Sequence, residues 1–332
     1  MDLRPYIKDL KQLEQGIEFI RTGQLFYQPY ILADDVEVGE GQNQHDDYRG
    51  VTAITDYNVY APRYKIGRRN QPEDFAFFRK CNQEYRDIYN YVADQICKHA
   101  GGSIDKYTIG EIGCNTGLNL FNLAQRGAKS CHGYDWNDYS AFFSWMNGLL
   151  GTNVQFTRGT YDNLYHHFRD GVDVAEVDIM INTVFTNHQC DPLQFLAYLC
   201  DRARKGVFLW ALIHSGHKDA AVLYTADMSG DILPKERPFP LSFYNGIVVT
   251  EQLLRVSLKY LGFGELEPID KFVPSPAWDR FQEGFRMYYA RRTDNTRSAY
   301  WKNEWSAGVP RTNKNRVSDT RRGLFDAFRR KQ

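Results

Sequence analysis

Residues 109–138 read IGEIGCNTGLNLFNLAQRGAKSCHGYDWND. The apolar run YTIGEIG (107–113) has the character of a strand, Gly113 and Gly117 bracket a turn, and LNLFNLAQRG (118–127) continues at helical spacing. A second short strand, SCHGYD (130–135), follows and ends in an acid. Glycines let a backbone turn sharply and approach a ligand where a side chain would clash. A helix beginning near Leu118 aims its free N–H groups at whatever occupies the turn. The dinucleotide fingerprint wraps a pyrophosphate with three glycines, G-x-G-x-x-G. Here Glu111-Ile-Gly113-Cys-Asn-Thr-Gly117 has two glycines and an acid at the strand end, which suits a ligand with a positive group near Glu111. Asp135, 18 residues past Gly117, stands at the next strand end, where it can accept hydrogen bonds from ribose hydroxyls.

The same alternation runs on through the chain. SAFFSWMNGLLG (140–151) reads as a helix, VQFTRG (154–159) as a strand and VDIMINTVF (177–185) as a buried strand. DPLQFLAYLCDRAR (191–204) is a helix, KGVFLWALI (205–213) another buried strand, and TEQLLRVSLKYLGF (250–263) a helix ending at Gly262. GELEPID (264–270) and GFRMYYARR (284–292) are late strands. Apolar strands alternating with helices imply βαβ units around a mainly parallel, doubly wound α/β sheet. Residues 214–246 form a long excursion at the C-terminal edge of a strand, the edge at which open α/β sheets bind ligands. Ahead of the sheet, 7–22 has helical spacing and 26–72 breaks into short strands and loops. Pro72, followed by Glu73 and Asp74, opens a long helix that Gly101-Gly102 stops. Three parts are expected: an N-terminal extension (1–100), a ligand-binding Rossmann-like domain (101–292) carrying the 214–246 insertion, and a C-terminal tail (293–332).

Composition sets the class. The 332 residues are 42% hydrophobic and 25% charged, ordinary for a soluble globular chain able to bury a large core. No apolar run reaches the roughly 18 residues of a membrane span, and MDLRPYIKDLKQLEQG has no apolar secretory segment. The six cysteines include no CxxC pair, which points to a reduced, cytoplasmic protein without a structural zinc site. Net charge is zero but uneven: residues 291–332 carry 12 Lys and Arg against 4 Asp and Glu. Such a tail either contacts an anionic partner or folds back on the acidic body.

Residues 109–137 resemble motif I and the acidic motif after it in the class I S-adenosylmethionine-dependent methyltransferases, and the resemblance extends over roughly 107–292. It implies a seven-stranded doubly wound sheet with an antiparallel last strand, S-adenosyl-L-methionine as cofactor, and an enzyme of the EC 2.1.1 class. By this likeness Glu111, Gly113 and Gly117 surround the methionine half of the cofactor, with Cys114 and Asn115 in the same turn. Asp135 takes the ribose, Trp136 lies against the adenine, and Asp162 in TRGTYDNL (157–164) is the candidate for the adenine amino group. Residues 177–213 are similar to the strand-loop-helix-strand that follows in many members: Asp178, Val184, Phe185, His188, Asp191 and Pro192 echo it, with a shifted spacing around the histidine. Asn182 is assigned to the cofactor site.

The sulfonium cofactor carries an activated methyl, so the protein need only align a nucleophile and, for a hydroxyl acceptor, take its proton. His188 is the candidate base, or else a histidine lining the cofactor. His214 and His217 in IHSGH read as surface or substrate-lining, and His45-Asp46-Asp47 as a solvated acidic turn rather than a metal site. Tyr57, Tyr60, Tyr64 and FYQPY (26–30) either cap the site or pack. The Asn/Asp-Pro-Pro-aromatic motif of enzymes that methylate amino groups of bases or glutamine is missing from INTVFT (181–186), which lowers that chemistry. The leading expectation is O-methylation of a small molecule: a sugar, glycan precursor or natural product. The alternatives are a transfer-RNA-type modifying enzyme, which the basic tail with Trp301 and Trp305 would suit, and a non-catalytic partner subunit docking through 320–331. Nucleic acid is a possible partner but not the favoured one, no membrane partner is expected, and no sequence feature sets an oligomeric state.

Overall fold

The computed structural model describes residues 1–25, 28–39, 59–66, 72–159, 161–162, 167–168, 174–183, 192–214, 221–227, 243–270 and 285–294. The chain begins with helix α1 (Leu10–Arg21), capped by Asp9, whose Oδ1 accepts the Gln12 N–H at 2.8 Å. Its buried side is Leu13, Gly16, Ile17 and Ile20, the three-and-four spacing of one helical face. Strands β1 (Tyr30–Ala33), β2 (Val36–Val38) and β3 (Val59–Tyr60) form a small antiparallel sheet. Helix α2 (Pro72–His99) then leads to the main body.

The main body consists of β4 (Thr108–Ile112), α3 (Leu118–Gln125), β5 (Ser130–Asp135), α4 (Ser140–Leu150) and β6 (Val154–Arg158). A two-rung ribbon of β7 (Tyr161–Asp162) and β8 (His167–Phe168) follows, then β9 (Val177–Thr183), α5 (Pro192–Arg202) and β10 (Ala203–His214). Next come β11 (Ala221–Asp227), β12 (Phe243–Thr250), α6 (Glu251–Tyr260), β13 (Glu265–Ile269) and β14 (Phe285–Arg291). Thr250 caps α6 by accepting the Leu253 N–H at 3.2 Å, so one residue closes a strand and opens a helix.

The central sheet runs β6-β5-β4-β9-β10-β14-β13, with β6 through β10 parallel and β14 antiparallel to both β10 and β13. Counted along the chain without the hairpin strands, the order is 3-2-1-4-5-7-6. The seven-stranded, mainly parallel sheet expected from the sequence is therefore present. The 214–246 excursion adds something the sequence reading did not contain. Strands β11 and β12 pair antiparallel over seven registers, Ala221↔Val249 to Asp227↔Phe243, and β12 joins the tip of β10 at Ile213 and His214.

The period of two along each strand separates two cores. Ile109, Ile179, Ile181, Phe208, Trp210, Met287 and Tyr289 pack on the face covered by α2, α3, α4 and the N-terminal sheet. Ile112, Met180, Val207, Leu209, Ala211, Tyr288 and Ala290 pack on the other, with Phe195, Leu199, Leu254 and Leu258 of α5 and α6. Strand β9 is buried on both sides, which explains the apolar Ile179-Met180-Ile181 at its centre. Among the described residues no helix is long and apolar enough to cross a membrane.

Candidate functional site

The switch point of the sheet lies between β4 and β9, where the strand order reverses, and the turn after β4 opens there. Gly113 (φ 74°), Asn115 (φ 50°) and Gly117 (φ 76°) all occupy the left-handed region. At Gly117 any side chain would be strained, because the φ is left-handed and a Cβ would stand 2.4 Å from Cζ of Phe143, whose ring would have to shift. Asn115 tolerates the conformation because its own Oδ1 accepts the Thr116 N–H at 2.8 Å. The turn is laid on β5: the N–H groups of Gly113 and Cys114 both donate to the Tyr134 carbonyl, at 2.8 and 3.2 Å. Gly133 of β5 is the position that permits this approach, since a Cβ there would lie 2.6 Å from Cys114 Sγ.

Asp135 ties two loops together. Its Oδ2 accepts the Asn115 N–H at 2.9 Å and its Oδ1 the Asn137 N–H at 3.0 Å, while its carbonyl accepts the Gly159 N–H at 2.7 Å. Burial raises its carboxyl to about 6, against the pull of those N–H donors. Each carboxylate oxygen retains acceptor capacity beyond these bonds.

Glu111 lies beneath the turn, fully buried. Its Oε1 accepts from Asn119 Nδ2 of α3 at 2.7 Å and from Thr183 Oγ1 of β9 at 3.0 Å. Among the described residues its Oε2 and the Asn119 Oδ1 have no hydrogen-bond partner. Burial lifts the Glu111 carboxyl to about 8, with Asp135 adding to the rise. The Cys114 thiol is pushed well above its ordinary value by burial, so the turn contains no ready thiolate nucleophile.

The inner side of the turn is closed by residues distant in sequence. Gln28 Oε1 accepts from Thr116 Oγ1 at 2.7 Å and from the Leu118 N–H at 2.8 Å, and its Nε2 donates to the Cys114 carbonyl at 3.2 Å. Tyr30 Oη donates to the Thr116 carbonyl at 3.1 Å. The expected free N–H at Leu118 is thus not free: a side-chain cap from the N-terminal segment reaches it first.

The remaining sequence candidates are distributed as follows. Trp136 is half-buried, and its carbonyl accepts from Arg158 Nε at 3.2 Å. Asn182 is buried and donates through Nδ2 to the Ile112 carbonyl at 3.4 Å, linking β9 to the end of β4. Asp178 lies at the opposite end of β9, accepting from Thr108 N–H and Oγ1 at 2.9 and 3.1 Å, away from the switch point. Asp162 belongs to β7, but its side chain is outside the described residues, as are Val184, Phe185, His188, Asp191, His217, residues 45–47, Phe26, Tyr27, Tyr57 and the tail from 295. His214 is exposed at the tip of β10, Tyr60 is buried in β3, and Tyr64 is half-buried. Among the described residues no group of three or more His, Cys, Asp and Glu side chains could hold a metal ion. Of the residues that the sequence reading did not single out, Asn119 carries a signal, a polar residue within the apolar LNLFNL. Thr116 and Thr183 carry none, and Gln28 and Tyr30 belong to the FYQPY stretch (26–30) that the sequence offered as either capping the site or packing, without a role for either residue.

A 3-2-1-4-5-7-6 sheet with an antiparallel seventh strand, a glycine turn after its first strand and an acid after its second define one architecture. The fold is that of the class I methyltransferases. No known family profile matches this methyltransferase-fold chain, and no curated protein does. Similar solved structures include magnesium protoporphyrin IX methyltransferase from Synechocystis PCC 6803 with bound SAH, at 15% identity over 65% of this chain and 87% of that one, TM-score 0.42. The N-terminal domain of EvdMO1 with SAH and D-fucose is 14% identical over 60% and 82%, TM-score 0.38. An O-methyltransferase family protein from Burkholderia thailandensis is 9% identical over 64% and 61%, TM-score 0.38. At these values the fold assignment rests on strand order, turn and acid, and the neighbours' activities remain their own.

Proposed function

We propose that the chain is an S-adenosyl-L-methionine-dependent methyltransferase of the EC 2.1.1 class acting on a hydroxyl of a small molecule, in the class of sugars, glycan precursors and natural products. The observation that carries this reading is the pairing of the glycine turn with Asp135 at the switch point, joined through the Asn115 N–H. The residues fit the group. Asp135 has lone pairs left for a pair of ribose hydroxyls. Among the described residues Glu111 Oε2 and Asn119 Oδ1 lack a partner; a positive group bound near Glu111 would draw its raised carboxyl back towards the ionised form, whereas a pyrophosphate would oppose that. When bound, the sulfonium supplies an activated methyl group.

In this reading Asp135 binds and orients the ribose half, while Gly113 and Asn115 let the methionine half approach the backbone. Cys114, Gly117, Trp136, Asp162 and Asn182 complete the cofactor shell, and His188 takes the proton of the acceptor hydroxyl. The 214–246 segment and the N-terminal region contribute the acceptor pocket.

Calorimetric titration of S-adenosylmethionine and S-adenosylhomocysteine tests the core of this reading. Wild type should bind both, and Asp135→Ala should lose them while His188→Ala keeps them and loses turnover on a panel of hydroxylated metabolites. Folded wild type that binds neither compound would overturn the proposal.

A further inference from the structure

Gln28 belongs to none of the methyltransferase motifs. It precedes β1, lies 86 to 90 positions before the groups it contacts, and is only 3% exposed. Both ends of its amide are used, and all three partners are within 114–118: the Cys114 carbonyl, the Thr116 hydroxyl and the Leu118 N–H. Tyr30 adds the Thr116 carbonyl from the same segment. This stretch also holds two left-handed residues, Asn115 and Gly117, a backbone shape that persists only where its surroundings impose it. Asp135 of β5 holds the turn through the Asn115 N–H, and Gln28 holds it through Cys114, Thr116 and Leu118. Gly113 and Asn115 remain partly accessible.

We propose that Gln28 is a positioning residue for the cofactor, holding the 114–118 turn in its ligand-ready shape, so that the N-terminal segment is a structural part of the cofactor site and not only a cover over it. This inference rests on the methyltransferase reading. Its physical basis is the identity of the groups left behind. Without the Gln28 amide, the Leu118 N–H and the Thr116 hydroxyl lose the acceptor they share, while the Cys114 carbonyl keeps the Gly117 N–H at 2.9 Å, and the turn must rearrange to satisfy the Leu118 N–H.

The test compares wild type, Gln28→Ala, Gln28→Glu and Tyr30→Phe by two readouts. One is the Kd for S-adenosylhomocysteine; the other is amide hydrogen exchange across 113–119, at a temperature where circular dichroism shows each variant folded. Gln28→Glu retains both acceptor bonds and loses only the longest contact, the one donated by Nε2. Gln28→Ala should weaken binding by about ten-fold or more, the scale of a buried group stripped of its partner. It should also deprotect Leu118, and Gln28→Glu should recover most of both effects. A folded Gln28→Ala with wild-type affinity and wild-type exchange overturns the inference while leaving the methyltransferase reading intact. If wild type itself does not bind, that reading fails separately, and unchanged exchange in Gln28→Ala then overturns the positioning role as well. Should Gln28→Ala not fold, Gln28→Met, which keeps the side-chain volume and removes all three bonds, decides with Tyr30→Phe: unchanged affinity and unchanged exchange in both would overturn it.

Discussion

At the scale of single residues, the two acids of the site are held under conditions that oppose their charge. Burial lifts Glu111 from 4.5 to about 8 and Asp135 from 3.8 to about 6. An acid whose native value lies above its unfolded value binds its proton more tightly in the native state. The stability it contributes is complete below its unfolded value and is lost as pH rises through the native one. Between pH 5 and 9 the wild type should therefore become less stable, with Glu111 responsible for on the order of 5 kcal/mol at most. Glu111→Gln should flatten most of this decline while keeping an oxygen for Asn119 and Thr183. Urea unfolding at pH 5, 7 and 9 measures it, and a flat wild-type profile would sink the account. Both acids were legible in the sequence because each ends an apolar strand at a fixed distance from the glycines. Thr183 was not, since a threonine at the end of a buried strand looks like any other.

At the scale of elements, the turn before α3 depends on the helix beyond it. Gly117 is left-handed, and the place a Cβ would take is filled by the ring of Phe143, which is buried in α4. Gly117→Ala should cost about 1–2 kcal/mol for the backbone conformation and more for displacing the ring, for a total of about 3 kcal/mol. Thermal unfolding measures the loss, and adding Phe143→Leu should recover the part due to the clash. A Gly117→Ala protein as stable as wild type would contradict the turn geometry. The glycines themselves were readable at this scale. The β11–β12 ribbon was not: AVLYTAD and FYNGIVVT are short and lie in a polar, proline-bearing stretch, and their pairing exists only across the excursion that separates them.

At the scale of the whole molecule, the N-terminal segment shares one core with the sheet domain. Phe19 of α1 meets Phe142 and Trp145 of α4, each with ring centroids 5.5 Å apart, and Tyr30 meets Phe142 at 5.5 Å. The fully buried Glu37 of β2 is ion-paired with Arg79 and Arg86 of α2. Edge-to-face aromatic packing across the boundary couples the two parts, and the buried ion pair fastens β2 to α2 within the N-terminal part. Tryptophan fluorescence and far-ultraviolet circular dichroism should report a single coincident unfolding transition, and a chain shortened to begin at residue 40 should not fold. Two separable transitions, or a stable shortened chain, would contradict that coupling.

By itself the sequence determined the succession of strands, turn and helices, the parallel character of the sheet, and the acid–glycine–acid framework of the site. Those features are written in local periodicity and short spacings, which each segment expresses without reference to the others. Only the tertiary structure decided that Asn119 and Thr183 converge on Glu111, that the 214–246 excursion returns as a sheet hairpin, and that Gln28 reaches across 86 to 90 positions to close the cofactor turn. Hydrogen bonds between segments remote in the chain leave no periodic trace in either segment, so they become visible only once the packed cores have brought the segments together.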